Sequence, residues 1–174
     1  HLDYDAQLKF KKDVVEESLK RIGKLEDIKV HDTIGMEYPM RYRNKAQFPV
    51  AAREADGEVK ISAGFYAKRS HEVIDSDECE IQDEVSDVVR RIVKGFLNRR
   101  GIPVYDEASG KGLVRHIMVR SAFKTGEVMV VIVINGTELP YAGELVEELK
   151  AGIDKTGKDE EGKNEAGVDK AEID

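Results

Sequence analysis

The sequence has little cysteine, proline or aromatic content, with one cysteine, four prolines and no tryptophan in 174 residues. A single cysteine excludes an internal disulfide and suits a reducing compartment. The longest apolar run, Val128–Ile134, has the length of a strand and is far shorter than the about 20 residues that cross a bilayer, so no membrane partner is expected. No basic-then-apolar leader opens the chain, which predicts a cytoplasmic protein.

The chain also lacks net positive charge, since its formal charge is -7. Its basic residues are nevertheless concentrated in acid-free stretches, 41–53, 90–100 and 111–124, which hold four, five and four cations. Salt screens exposed charges over about 8–10 Å, so local charge decides phosphate binding more than the total does. An acidic chain can therefore carry a basic surface.

One of these stretches alternates in a regular way. Residues two apart share one face of a strand, so a period of two predicts a row of side chains. The row consists of Arg41, Arg43, Lys45 and Gln47. Such a row is suited to RNA phosphates, and Arg43 could also stack on an unpaired base. The alternative interpretation is a solvated strand that only keeps a sheet edge soluble.

The order of predicted elements indicates an α+β fold, with an antiparallel sheet of two hairpins and helices packed on one face. Helices are expected at about 3–23, at about 84–100 and from Pro140 onward. Strands are expected at about 41–53, 59–66, 113–123 and 128–134, with a turn at Asp56-Gly57. Pro49 lacks a backbone donor and predicts that the first strand lies at an edge or contains a bulge.

Two further groups of basic residues lie in the second predicted helix and in the third predicted strand. Arg90, Arg91 and Lys94 lie opposite the apolar stripe of the second helix, which predicts a solvated face and not a site. In the third strand the period of two places Arg115 and Arg120 on opposite faces. At most one of them can therefore share the face that carries Arg43.

The composition changes near the end of the chain. Ala151–Lys155 recurs as 166–170 within a tract of glycine, lysine and acids that has almost no apolar side chains. Such a tract cannot bury enough surface to offset its chain entropy. We therefore predict a domain over residues 1–151 and a charged, mobile tail or insertion over residues 152–174.

Several motifs resemble the bacterial RNA uracil-C5 methyltransferase family, which uses S-adenosylmethionine to modify ribosomal or transfer RNA. The similarity runs from His1 to about Asn135. Its most specific parts are Tyr42-Arg43-Asn44-Lys45 and a block from Gly64-Phe65-Tyr66 to Cys79. The resemblance implies a central, RNA-contacting part of a methyltransferase of the 23S ribosomal RNA type.

The resemblance also implies that the chemistry lies elsewhere. Methylation of uracil C5 needs a thiolate nucleophile, a base and a bound methyl donor, which the family places in a Rossmann-like domain. Gly110-Lys111-Gly112 is too short for a dinucleotide-type turn. We expect no catalytic and no S-adenosylmethionine-binding residues here, and no methylation by this chain alone. Lys68, Arg69 and His71 follow a strand and are candidate RNA contacts, and for His71 ordinary hydrogen bonding is favoured over metal binding or proton transfer.

In family members that carry a cluster, a cysteine at the position of Cys79 is the fourth ligand of a four-iron four-sulfur centre. One thiolate cannot hold such a cluster, so Cys79 is predicted to be a ligand only in a longer parent protein. Three alternatives stay open: a buried packing role for Cys79, a redox or metal sensor, and a stand-alone RNA-binding module. The strand 128–134 is apolar on both faces, which also predicts a possible homodimer.

Overall fold

The computed structural model describes the backbone of residues 2–55 and 58–165, and the side chains of those ranges except 54, 55, 58 and 156–165. The predicted turn at Asp56-Gly57 lies outside the described residues. The chain divides into two compact units, His1–Met40 and Arg41–Asp174. The sequence analysis had assigned both to one domain over residues 1–151.

The first unit is built on helix α1, Tyr4–Arg21, which matches the predicted helix. Asp3 caps it by accepting a hydrogen bond from the Ala6 N–H, and an acid in the first turn and bases in the last complement the helix dipole. The segment that follows lies along the helix. The Thr33 hydroxyl donates to the Leu8 carbonyl, and the Met36 N–H donates to the Tyr4 hydroxyl.

The second unit contains a five-stranded antiparallel sheet in the order β3-β2-β1-β4-β5. Its strands are β1 Lys45–Ala55, β2 Glu58–Tyr66, β3 Val73–Asp75, β4 Val114–Ser121 and β5 Val128–Ile134. The two predicted hairpins and the α+β class are confirmed. Strand β3 was not predicted, because three residues are too few to show a period.

The prediction that Pro49 marks an edge or a bulge is wrong, since β1 is the central strand. The ladder with β4 ends at the pair Pro49–His116, and the ladder with β2 begins at Val50–Ala63. Pro49 therefore lies where β1 changes its pairing from one neighbour to the other. A missing N–H interrupts neither ladder at that point.

Helix α2, Glu84–Arg100, covers one face of the sheet, and helix α3, Ala142–Glu165, packs against α2. Asp83 caps α2 by accepting from the Val85 N–H, and Gly101 ends it with φ +58°, a value that favours glycine. The core between α2 and the sheet includes Val89, Val93, Phe96, Phe48 and Ile117, all fully buried. Each such side chain contributes about 1.5–3 kcal/mol by leaving water.

Helix α3 passes residue 151 without a break, and Ile153 is among the side chains packed against the core. A Cβ on Gly152 would lie 2.3 Å from Ile92 Cδ1, so this part of α3 is closely applied to α2. The mobile tail was predicted over residues 152–174, of which 166–174 lie outside the described residues, and its mobility stays a prediction. No helix in the described ranges has the length and apolarity needed to cross a bilayer.

Candidate nucleic-acid interface

The predicted basic row is present over part of its length. In β1 the side chains of Lys45 and Gln47 are exposed, whereas Ala46 and Phe48 are buried in the core. Arg43 is exposed two residues before Lys45. Three members of the predicted row, Arg43, Lys45 and Gln47, are therefore available at the surface, and the alternation begins at Lys45.

A third cation joins this surface from the neighbouring strand. Arg120 of β4 lies directly opposite Lys45 of β1, and both side chains are exposed. Among the described residues, no carboxylate forms an ion pair with Arg43, Lys45 or Arg120. Like charges placed directly opposite each other on adjacent strands destabilise a sheet, so this pair is better suited to an anionic ligand than to folding. We call Arg43, Lys45 and Arg120 the open basic surface.

A second cross-strand pair of cations provides a contrast on β1. Arg53 lies opposite Lys60 of β2, but Arg53 Nη2 is 3.9 Å from Glu72 Oε1. A carboxylate therefore accompanies one member of this pair. The Lys45–Arg120 pair differs because, among the described residues, neither of its members has a carboxylate partner.

The predicted loop contacts lie in a turn after β2. Lys68 and Arg69 are exposed, and Arg69 has φ +63°. Because β1 and β2 are antiparallel, the end of β2 and the beginning of β1 lie at the same end of the sheet. His71 instead has structural partners: its Nδ1 is 2.5 Å from Glu107 Oε2, and its ring packs against Tyr66. This bond holds the pKa of Glu107 below its usual value.

Arg41 does not continue the row. Its backbone has φ +54°, and its guanidinium is turned toward the segment before α2. Arg41 Nη1 donates to the Cys79 carbonyl at 2.7 Å and to Asp87 Oδ2 at 3.0 Å, while Nη2 pairs with Glu78. Burial opposes the charge, yet the bonds to Asp87 and Glu78 raise the pKa of Arg41 above its usual value. Its charge is thus compensated within the protein.

Arg90 corrects the expectation that the helix cations are solvated. Its side chain is 1% exposed, donates to Asp87 Oδ1 at 3.2 Å and to the Ala63 carbonyl at 3.3 Å, and lies over the Phe48 ring. Asp87 therefore accepts from two arginines and from the Cys79 N–H. We call Arg41, Asp87 and Arg90 the buried charge network. Sequence reasoning missed it, although the i, i+3 spacing of Asp87 and Arg90 was visible.

The same network fixes the backbone on both sides of Cys79. Asp87 accepts from its N–H at 3.1 Å, and Arg41 donates to its carbonyl. The thiol is free and partly buried. Throughout the described ranges, no group of three or more His, Cys, Asp or Glu side chains could hold a metal ion. The residues present therefore do not fit an iron–sulfur cluster by themselves, and the ligand role of Cys79 remains a prediction for a longer protein.

A cleft of about 380 Å³ opens beside β1 and β4 and was not predicted. It lies between the end of β2 with the loop after it and the segment before β4. Its polar and aromatic lining consists of Tyr66, His71, Tyr105, Asp106, Glu107, Arg115 and His116. Tyr105 and Arg115 stack, with the guanidinium carbon 4.4 Å from the ring centroid. Interruption of an apolar strand by Arg115 and His116 was the only sequence signal for it.

Comparisons with known proteins indicate the class to which the chain is similar. Over 156 residues the chain is 46% identical to an uncharacterized RNA methyltransferase of Listeria innocua, and over 155 residues it is 48% identical to one of Clostridium acetobutylicum. A third, of Caldanaerobacter subterraneus, is 50% identical over 150 residues. These alignments cover 90%, 88% and 86% of this chain. The class of protein is thus that of the RNA methyltransferases.

A solved structure makes the assignment more specific. The crystal structure of Pyrococcus abyssi tRNA (uracil-54, C5)-methyltransferase in complex with S-adenosyl-L-homocysteine matches 83% of this chain with a TM-score of 0.58 and 28% identity. No protein-family model matches the chain. By these relatives and this structure, the chain is similar to RNA methyltransferases and, among them, to a tRNA uracil-C5 methyltransferase. It spans about a third of the length of the relatives that it matches.

Proposed function

We propose that this chain positions RNA within a cytoplasmic, S-adenosylmethionine-dependent methyltransferase that acts on uracil C5 of 23S ribosomal RNA. The observation that carries the proposal is the open basic surface, where Lys45 and Arg120 face each other without an acid partner among the described residues. Phosphates would neutralise both cations at once, and release of counterions would add to the affinity.

The proposal assigns positioning and not bond formation to this chain. S-adenosylmethionine would supply the methyl group, but β3 leads into α2 through Ser76–Asp83, which contains no glycine for a dinucleotide-type turn. We therefore propose that this chain alone transfers no methyl group, and that Cys79 ligates a four-iron four-sulfur cluster only in the longer protein. The similarity to RNA methyltransferases and the exposed cations support this division of labour.

RNA binding by this chain tests the proposal. The triple variant Arg43→Ala, Lys45→Ala, Arg120→Ala should bind a single-stranded 23S ribosomal RNA segment more weakly. It should also flatten the plot of log affinity against log salt by about 0.7 per lost phosphate contact, or roughly 2 units in all. Fluorescence anisotropy at several salt concentrations measures both quantities.

Arg91→Ala is the matched control, because Arg91 is an equally exposed cation on α2, which covers the opposite face of the sheet. Its binding curve and salt dependence should equal those of the parent chain. If the triple variant behaves like Arg91→Ala, the open basic surface is a solvated strand end and the proposal is wrong. Competition with transfer RNA tests the ribosomal part separately, since tighter binding of transfer RNA would overturn it.

We also propose that two copies of this chain can pair through β5. This strand is at the edge of the sheet, and its outer-face residues Met129 and Val133 are 46% and 36% exposed. An apolar edge strand presents unpaired backbone groups that a second copy can match. Light scattering should then give twice the mass of 19.5 kDa, and a monomer at high concentration would refute the pairing.

A further inference from the structure

The cleft and the open basic surface lie on the same face of the sheet. In β4, His116, Met118 and Arg120 share one face, and Ile117 and Val119 point into the core beneath α2. His116 lines the cleft, whereas Arg120 belongs to the open basic surface. Three residues lie between them, and the four steps along the strand span about 13 Å. A ligand bound by the cations can therefore extend into the cleft.

Arg115 is the arginine of the cleft, whose lining also includes the carboxylates of Asp106 and Glu107. It lies at a register shift between Val114 and His116, where a bulge turns its side chain over the Tyr105 ring. In the described part of the chain, no carboxylate forms an ion pair with it. Stacking fixes the orientation of the planar guanidinium, whose donor groups suit a phosphate or the edge of a base.

The opposite wall supplies an aromatic surface. Tyr66 is 42% exposed, and its ring packs against His71 with the ring centroids 5.4 Å apart. The bond between His71 and Glu107 ties this wall to the segment that carries Tyr105. Burial, and then the charge of Glu107, raise the pKa of Tyr66, so its hydroxyl remains a donor at neutral pH. Burial, and then the charge of Arg115, lower the pKa of His116, which leaves that ring neutral.

We propose that this cleft binds one unstacked ribonucleotide of the RNA, with its base against the Tyr66 ring and Arg115 donating to its phosphate or base edge. This inference rests on the proposed RNA-binding function, which it extends from phosphate contacts to a base. Aromatic rings and arginine planes that face an open cleft are the groups that hold splayed bases. The volume is within the range of small-ligand sites.

Titration of the 174-residue chain with uridine 5′-monophosphate tests the cleft without relying on the open basic surface. Saturable NMR shifts are expected for the cleft residues, and inorganic phosphate should produce weaker shifts near Arg115 only. Tyr66→Ala and Arg115→Ala should each weaken nucleotide binding by roughly fivefold or more, since stacking contributes about 1–3 kcal/mol per base. Tyr66→Phe should retain most of the affinity.

The pair formed by Arg100 and Tyr141 provides the matched control. It has the same kind of stacking, with 5.0 Å between guanidinium carbon and ring centroid, but lies at the ends of α2 and α3 away from the cleft. Tyr141→Ala should leave nucleotide binding unchanged.

The outcomes separate the two proposals. Unsaturable shifts, shifts equal to those caused by phosphate, or equal binding by Tyr66→Ala and Tyr141→Ala would each overturn the cleft proposal. RNA binding that depends on Lys45 and Arg120 would still support the proposed function in that case. Conversely, the nucleotide could bind in the cleft while substitutions in the open basic surface leave RNA binding unchanged. That result would support the cleft proposal and refute the phosphate contacts.

Discussion

The buried charge network and the open basic surface both contain arginines, but only in the network do those arginines pair with an acidic side chain among the described residues. In the network, Asp87 accepts from Arg41 and Arg90, and both guanidinium groups have protein acceptors. On the open basic surface, Lys45 and Arg120 face each other without an ion-pair partner among the described residues. Compensated cations stabilise the position of the Cys79 segment, whereas uncompensated cations are available to a ligand. The cations of a basic stretch therefore have to be sorted by whether each one has an acidic partner in the folded protein.

The two regions should respond oppositely to mutation. Removing one member of a buried ion pair leaves the other charge unpaired away from water, which is costly. Removing one of two like charges on adjacent strands relieves repulsion. Stability measurements on single variants can therefore test the distinction directly.

The largest effect is expected for Asp87→Ala. This change leaves Arg90, which is 1% exposed, without its carboxylate, and removes acceptors from Arg41 and from the Cys79 N–H. The free energy of unfolding should fall by about 3–5 kcal/mol. Chemical denaturation followed by circular dichroism measures this loss, and Asp87→Asn provides a milder variant if the alanine variant does not fold.

Glu148→Ala is the control for this loss. Glu148 pairs with Arg99 at 2.6 Å on an exposed surface, so its removal should cost at most about 1 kcal/mol. Equal losses in the two variants would mean that the Asp87 network is no more important than a surface pair, and the comparison would fail.

A smaller effect of opposite sign is expected for Lys45→Thr. Threonine suits a strand and removes the like charge opposite Arg120, so the free energy of unfolding should rise by about 0.2–1 kcal/mol. The same variant should bind RNA more weakly. This combination of a stability gain and a binding loss, measured by denaturation and anisotropy, is the signature of a residue retained for a ligand.

Lys60→Thr is the matched control, because Lys60 also faces an arginine across two strands, but Glu72 accompanies that arginine. Its stability gain should be smaller, and its RNA affinity should be unchanged. If Lys45→Thr lowers stability or leaves RNA binding intact, the open basic surface has a structural role instead.

Local periodicity predicted most of the fold. The stripe of α2 and the alternation in β1 each bury one face, and burial of apolar side chains dominates the choice of structure. The place of Pro49 in a central strand depends on where two ladders meet, which sequence spacing does not show. The short strand β3 depends on pairing with β2 and not on its own pattern.

The candidate site was predictable only in part. Lys45 and Gln47 followed from the period of two, but the position of Arg120 required the register between β1 and β4. Arg41 and Arg90 looked like surface cations because their partners, above all Asp87, come from distant or unexpected positions. The cleft depends on a bulge at Arg115 and on a loop that brings Tyr105 over it.

The smallest effect on stability is expected from protonation of His116, which would add a further cation to the open face of the sheet. Burial, and then the charge of Arg115, lower its pKa below the ordinary 6.5, so the folded protein binds this proton less tightly than the unfolded chain does. The contribution of His116 to stability is therefore complete above about pH 6.5 and declines as the pH falls through that value toward the lower, folded pKa. In the parent chain, unfolding free energy should decline more steeply over this window than in His116→Gln, and the two should run parallel above pH 8. Parallel curves over the whole range would show that an added charge on this face does not lower the free energy of unfolding. That result would weaken the contrast with the buried charge network.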